Sequence, residues 1–169
     1  MKYLPSLFII IVFSLTAFAQ SAKDQPAAPT FKVQSLDGKI FSSPELKGKV
    51  VVLNLWFVNC PHCIEEIKAL NTIVDNYSSN NEVGLIGLAI NNKVQLENFL
   101  KKNPFKYSIV PDAGDFMLLA FGDKQKDNSY YLPFPTHVVI DRNGKIISKT
   151  NGIKGVEAVR SELAKQLAK

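Results

Sequence analysis

One junction constrains this chain more than any other feature. Val50 to Phe57 (Val-Val-Val-Leu-Asn-Leu-Trp-Phe) is an apolar run rich in β-branched residues, and it leads almost directly into Cys60-Pro61-His62-Cys63. Such a run fits a central strand buried on both faces. From Cys63 onward Ile64, Ile67, Leu70, Ile73, Val74 and Tyr77 recur at helical spacing, and the pattern stops at Ser78-Ser79-Asn80-Asn81. A cysteine pair therefore sits where a buried strand gives way to an amphipathic helix. Free backbone N–H groups and the positive end of the helix dipole favour an anion there, so a thiolate is stabilised.

Around this junction strands and helices alternate. Phe31 to Phe41 reads as a hairpin about Asp37-Gly38, and Ser43-Pro44-Glu45 reads as a cap opening a turn of helix. Val83–Ile90 and Tyr107–Val110 are predicted strands; Val94–Lys102 and Asp115–Phe121 are predicted short helices. The polar stretch 122–129 is predicted to be a surface loop. His137–Asp141, the Asn143-Gly144 turn and Lys145–Thr150 form a second hairpin, and Val156, Val159, Leu163 and Leu167 mark one face of a last helix. With 169 residues there is room for one core, so the expected fold is an α/β sandwich around a mixed sheet.

The front end has its own signature. Lys2 is followed by an apolar run that ends Ala17-Phe18-Ala19, the order of a secretory signal peptide cleaved after Ala19. The alternative is an uncleaved anchor, but Tyr3 to Ala19 is only 17 residues and contains Pro5. Residues 20–30 carry two prolines and no periodicity, which reads as a linker, with the folded domain spanning 31–169. Export places the chain where disulfides persist, in the periplasm. A net charge of +5 without any basic block argues against nucleic acid as a partner.

Only two cysteines are present, so their spacing is read for chemistry rather than as a scaffold. A gap of two residues lets the sulfurs close a disulfide in the first helical turn, with Cys60 at the exposed edge and Cys63 further in. Cys60 is then the nucleophile that forms a mixed disulfide, and Cys63 resolves it. Tetrahedral zinc lacks a second cysteine pair, and covalent haem needs His where Ile64 stands. A structural disulfide closing so short a loop removes little chain entropy. Copper(I) held by Cys60 and Cys63, with His137 as a third ligand, stays open as a metallochaperone alternative; otherwise His137 is a packed strand residue. Neither a metal nor a further cofactor is expected beyond the Cys60–Cys63 couple.

Three separated motifs carry a resemblance. The strand-Cys-x-x-Cys-helix unit, Phe134-Pro135-Thr136 before a strand ending Ile140-Asp141, and the Asn143-Gly144-Lys145 turn resemble the thioredoxin superfamily. Gly48-Lys49-Val50-Val51-Val52-Leu53-Asn54-Leu55-Trp56, with an extra strand and helix before Pro135, is similar to its exported TlpA/ResA-type thiol-disulfide oxidoreductases. The resemblance implies a thioredoxin-like fold with an N-terminal β-hairpin and a strand-helix insertion. It makes Pro135, rather than Pro133, the cis-proline facing the dithiol. Phe134, Pro135 and Thr136 then form the substrate platform; Trp56, the only tryptophan, is read as core packing, with a shelf near the dithiol as the alternative its location suggests.

Glu66, one turn beyond Cys63, lies on or beside the apolar stripe, whereas Glu65 points away. Burial disfavours the charged form of a carboxyl, and in the resembled group a glutamate at this position exchanges a proton with the second cysteine. Asn54 stands where cytoplasmic thioredoxins carry a buried acid; its expected role is a hydrogen bond within the sheet. Asn59 departs from the Trp that often precedes the first cysteine. Pro61 and His62 are expected to tune the redox potential, His62 by donating to the Cys60 sulfur, which makes the pair more oxidising. The expected function is reduction of protein disulfides, including apocytochrome c, with a membrane thiol-transfer donor recycling the pair. A DsbA-like oxidant or isomerase is the redox alternative. A peroxidase of the peroxiredoxin kind would want Thr where Phe57 stands.

Overall fold

The computed structural model describes residues 25–152 and 154–168; the expected signal segment lies outside them. In chain order the elements are β1 (Lys32–Gln34), β2 (Ile40–Ser42), β3 (Val50–Trp56), α1 (Pro61–Tyr77), β4 (Val83–Ala89), α2 (Lys93–Leu100) and β5 (Ser108–Val110). They continue as α3 (Gly114–Phe121), β6 (Asp123–Lys124), β7 (Tyr130–Tyr131), β8 (Thr136–Ile140), β9 (Ile146–Asn151) and α4 (Gly155–Leu167). The main sheet has the order β5-β4-β3-β8-β9. β3 runs parallel to β4 and antiparallel to β8, so the sheet is mixed, as expected.

Strand β3 is buried at every residue, which is why its sequence does not alternate. Its two faces meet different layers. Val51, Leu53 and Leu55 pack with Ile86, Leu88, Val138 and Met117 of α3, whereas Val50 and Val52 pack with Leu70 and Ile73 of α1 and Val159 and Leu163 of α4. Antiparallel pairing of β8 has a consequence for function. It brings the start of β8 to the same end of the sheet as the end of β3, where Leu55 lies opposite Thr136. Clefts at the carboxyl ends of parallel strands are where α/β sheets place their ligands.

Ser43-Pro44-Glu45 does not open a helix: Glu45 and Leu46 N–H bond to the Ser42 carbonyl and Lys49 N–H to that of Leu46, a run of turns leading into β3. The Ser42 hydroxyl, not that of Ser43, reaches forward to Glu45 at 2.6 Å, so the cap chemistry is satisfied without helix propagation. Within the predicted loop 122–129, Asp123 and Lys124 pair with Tyr131 and Tyr130 as a short antiparallel ribbon. The stretch read as a linker is tied down over its last part. Ala28 N–H bonds to Gly144 O at 2.8 Å, and Ile146 N–H to Pro26 O at 2.9 Å.

Candidate active site

Asn59 makes the turn that aims the cysteines. Its φ is +69°, a left-handed conformation that asparagine tolerates better than most residues, and Cys60 N–H closes the turn onto Phe57 O. Residue 59 is thus read by its backbone, a reason for Asn that the sequence alone does not reveal. Asn91, in the loop after β4, steadies the same turn by accepting from Val58 N–H at 2.7 Å. The Asn92/Gln95 capping box at the start of α2 was the available signal for that loop.

Cys60 is the N-cap of α1, and its sulfur accepts from Cys63 N–H at 3.2 Å. The two sulfurs form a disulfide, with Cα atoms 5.2 Å apart. Cys60 is not at an exposed edge: it is 3% exposed and Cys63 2%. Both pack in one cluster with Trp56, Ala89 and Leu96, flanked by Phe57 and Phe134. His62 does not serve the Cys60 sulfur either. Its Nδ1 lies 3.1 Å from Glu65 Oε2, and both side chains, like Pro61, are exposed.

The Phe134–Pro135 peptide bond is cis, which settles the choice against Pro133. Phe134 is half-buried and meets Phe57 edge to face, with ring centroids 5.4 Å apart. Thr136 is fully buried, and its hydroxyl donates to Pro133 O at 2.6 Å, so it holds the proline loop instead of meeting a client. Trp56 is likewise no surface shelf. It is fully buried and stacked on Phe105 at 4.7 Å, supporting the cysteines from beneath. Gly87 makes that possible, because a Cβ there would crowd Trp56, Tyr107 and Ile109.

Beneath the dithiol lies a buried polar group that sequence reasoning assembled only in part. Asn54 Nδ2 donates to the Tyr107 hydroxyl at 2.8 Å, across to the edge of the sheet. Burial pushes the Tyr107 phenol well above its ordinary value; the bond from Asn54 opposes this, and the Glu66 charge adds to it. Glu66 is 3% exposed, and its Oε1 lies 3.0 Å from His137 Nε2. His137, directly opposite Asn54 across the β3–β8 ladder, is the packed strand residue expected, and its Nε2 is engaged by Glu66. Its ring fits because residue 155, opening α4, is glycine: a Cβ would collide with Nδ1. Among the described residues, Asn54 Oδ1, Trp56 Nε1, Glu66 Oε2 and His137 Nδ1 have no hydrogen-bond partner. Nor do the described residues include three or more His, Cys, Asp or Glu grouped to hold a metal.

A model described as the AhpC/TSA family matches residues 25–149. The chain is similar to the thiol-disulfide oxidoreductase ResA of Bacillus thuringiensis subsp. konkukian, 30% identical over 139 residues that cover 82% of this chain and 75% of the relative. The Bacillus subtilis ResA is 27% identical over 137 residues, covering 79% and 70%. Among solved structures, StoA from Bacillus subtilis superposes with a TM-score of 0.62 at 25% identity, covering 80% of this chain and 98% of that one. A thioredoxin-family thiol:disulfide interchange protein from Chlorobium tepidum gives 0.69 at 24% identity, covering 85% and 97%.

Proposed function

This chain belongs to the AhpC/TSA family, as a thiol-disulfide oxidoreductase of the ResA type, and from there we propose that it reduces disulfide bonds of protein clients outside the cytoplasm. The observation that carries the reading is the Cys60–Cys63 disulfide in the first turn of α1, at the same end of the sheet as cis-Pro135. No further cofactor takes part. In the reduced protein, Cys60 at the helix N-terminus is the thiolate that attacks a client disulfide, and Cys63 resolves the mixed disulfide. Glu66 takes the proton that Cys63 must lose. The client chain lies along Phe134 and Pro135, where the backbone of Phe134 has no hydrogen bond to any described residue. Apocytochrome c is the first client class to try, and a membrane thiol-transfer protein is the source of electrons.

Export rests on the signal-like segment ending at Ala19; no helix of the described residues is long and apolar enough to cross a membrane. His62 Nδ1 lies beside Glu65 and not the Cys60 sulfur, which weighs for the reductant. The test is the reduction potential of Cys60/Cys63, measured by equilibration with glutathione or dithiothreitol buffers and trapping of free thiols. A value near about −270 mV is expected, and one approaching about −120 mV would make the protein an oxidant. Absence of any reversible two-electron couple would sink the redox reading altogether.

A further inference from the structure

We propose that His137 is a positioning residue for proton transfer at Cys63: it holds Oε1 of Glu66, leaving Oε2 to receive the Cys63 proton. The inference rests on the thiol-disulfide reading above and adds to it a residue 71 positions from Glu66.

The hydrogen bond itself locates the imidazole proton. Nδ1 faces Gly155 and has no partner among the described residues, so a proton there would be a buried, unpaired donor. The proton therefore sits on Nε2, from which it donates to Glu66 Oε1 at 3.0 Å. One carboxylate oxygen is thereby fixed, while the other is buried and unpartnered. Glu66 follows Cys63 by three residues on α1, the spacing that puts two side chains on one helix face. A carboxylate held at one oxygen cannot swing away, and its second oxygen is the acceptor left for that thiol.

The surrounding groups leave this assignment undisturbed. On β3 the neighbours are Asn54 and Trp56, both neutral. Tyr107, before β5, keeps its proton more firmly than an ordinary phenol because it is buried. On α4, Arg160 is turned to Ala69 O at 3.5 Å and lies 3.8 Å from Glu157. On β9, Thr150 lies opposite His137 and carries no charge. Of the ionisable groups facing the pair, only Cys63 must give up a proton in the reaction.

The steps balance. The Cys60 thiolate attacks the client disulfide; the client S–S bond breaks, a Cys60–client bond forms, and the first client thiolate takes a proton from solvent. Cys63 passes its proton to Glu66 Oε2 and attacks the Cys60 sulfur. The Cys60–Cys63 bond forms, the Cys60–client bond breaks, and the second client thiolate leaves and collects the proton from Glu66. Two electrons have passed from the dithiol to the client, which ends as two thiols.

The test follows the resolving step. The reduced protein is mixed with oxidised glutathione, and closure of Cys60–Cys63 is read by acid quench and thiol alkylation across the neutral pH range. E66Q should slow closure by about 100-fold, within the span of positioned proton transfer. H137L should slow it about tenfold and move the pH profile, and H137Q, whose amide N–H reaches the place of Nε2, should restore most of the rate. In the E66Q background H137L should add nothing, since His137 acts through that carboxylate. A wild-type rate and profile in H137L, or equal slowing in both backgrounds, overturns the proposal. If H137L does not fold, G155A decides, because its methyl pushes the ring off Glu66; an unmoved profile there also overturns it. A wild-type chain without any exchange removes the oxidoreductase reading and this one together, an outcome distinct from active protein with indifferent His137.

Discussion

Two histidine–glutamate pairs take their glutamates from adjacent positions of helix α1, with nearly equal length and opposite setting. His62 and Glu65 meet at 3.1 Å with side chains 66% and 54% exposed, whereas His137 and Glu66 meet at 3.0 Å with 0% and 1% exposed. Adjacent positions of one helix thus place the same chemistry in water and in the interior. In water the attraction is screened, and two mobile side chains must be ordered to form it. In the interior the pair has already lost its hydration, so each partner depends on the other. Closeness in space therefore says little about worth; burial decides it.

The comparison breaks most visibly on the buried side. H137L, measured by urea unfolding, should cost about 1.5–3 kcal/mol, because it removes the hydrogen bond that a buried carboxylate accepts. The double variant E66L/H137L should recover most of that loss, since an apolar pair carries no desolvation cost. A loss below about 1 kcal/mol in H137L would mean that the buried pair behaves like the exposed one. On the exposed side, H62A should change stability by less than about 1 kcal/mol, and that difference should vanish in about 1 M salt, where the screening length falls to a few ångströms.

The smallest effect sharpens the rule. Asp37, with its side chain 45% exposed, is held at about 2, below its ordinary 3.8, chiefly by the Ser35 hydroxyl, with Lys39 and Ser108 adding to it. Its lowered value means that the ionised form stabilises the fold; this contribution is complete above the ordinary value and is lost as pH falls from about 4 to 2. After discount for solvent, D37N should cost about 0.5 kcal/mol at neutral pH. Urea unfolding across that acid window should show wild type converging on D37N; parallel curves would remove the Asp37 bonds as a source of stability.

Legibility in the sequence divides along the same line. The hairpin at Asp37-Gly38, the unbroken strand before the cysteines and the helix after them are local, because backbone preference and apolar period act over a few residues. The cis-proline was legible only through the Phe134-Pro135-Thr136 motif and its resemblance. What failed was burial and direction. Cys60 looked exposed because it caps a helix, yet it is buried in a cluster that takes Ala89 from the end of β4, Leu96 from α2 and Phe134 from the proline loop. Thr136 looked client-facing by proximity to the site, yet it points into the core, and Trp56 is the core packing its residue type suggested.

The residues alone specify an α/β chain with a dithiol at a helix start and, through its motifs, a thioredoxin-like oxidoreductase. The company of Glu66 comes from the packing of separate elements. The antiparallel pairing of β8 with β3 brings His137 beside Asn54 on the α1 face, and Gly155 of α4 leaves the space its ring fills. Local propensity acts along the chain, but a buried charge is answered by whichever group the packing of separate elements sets against it, and no pattern within a single element records that choice.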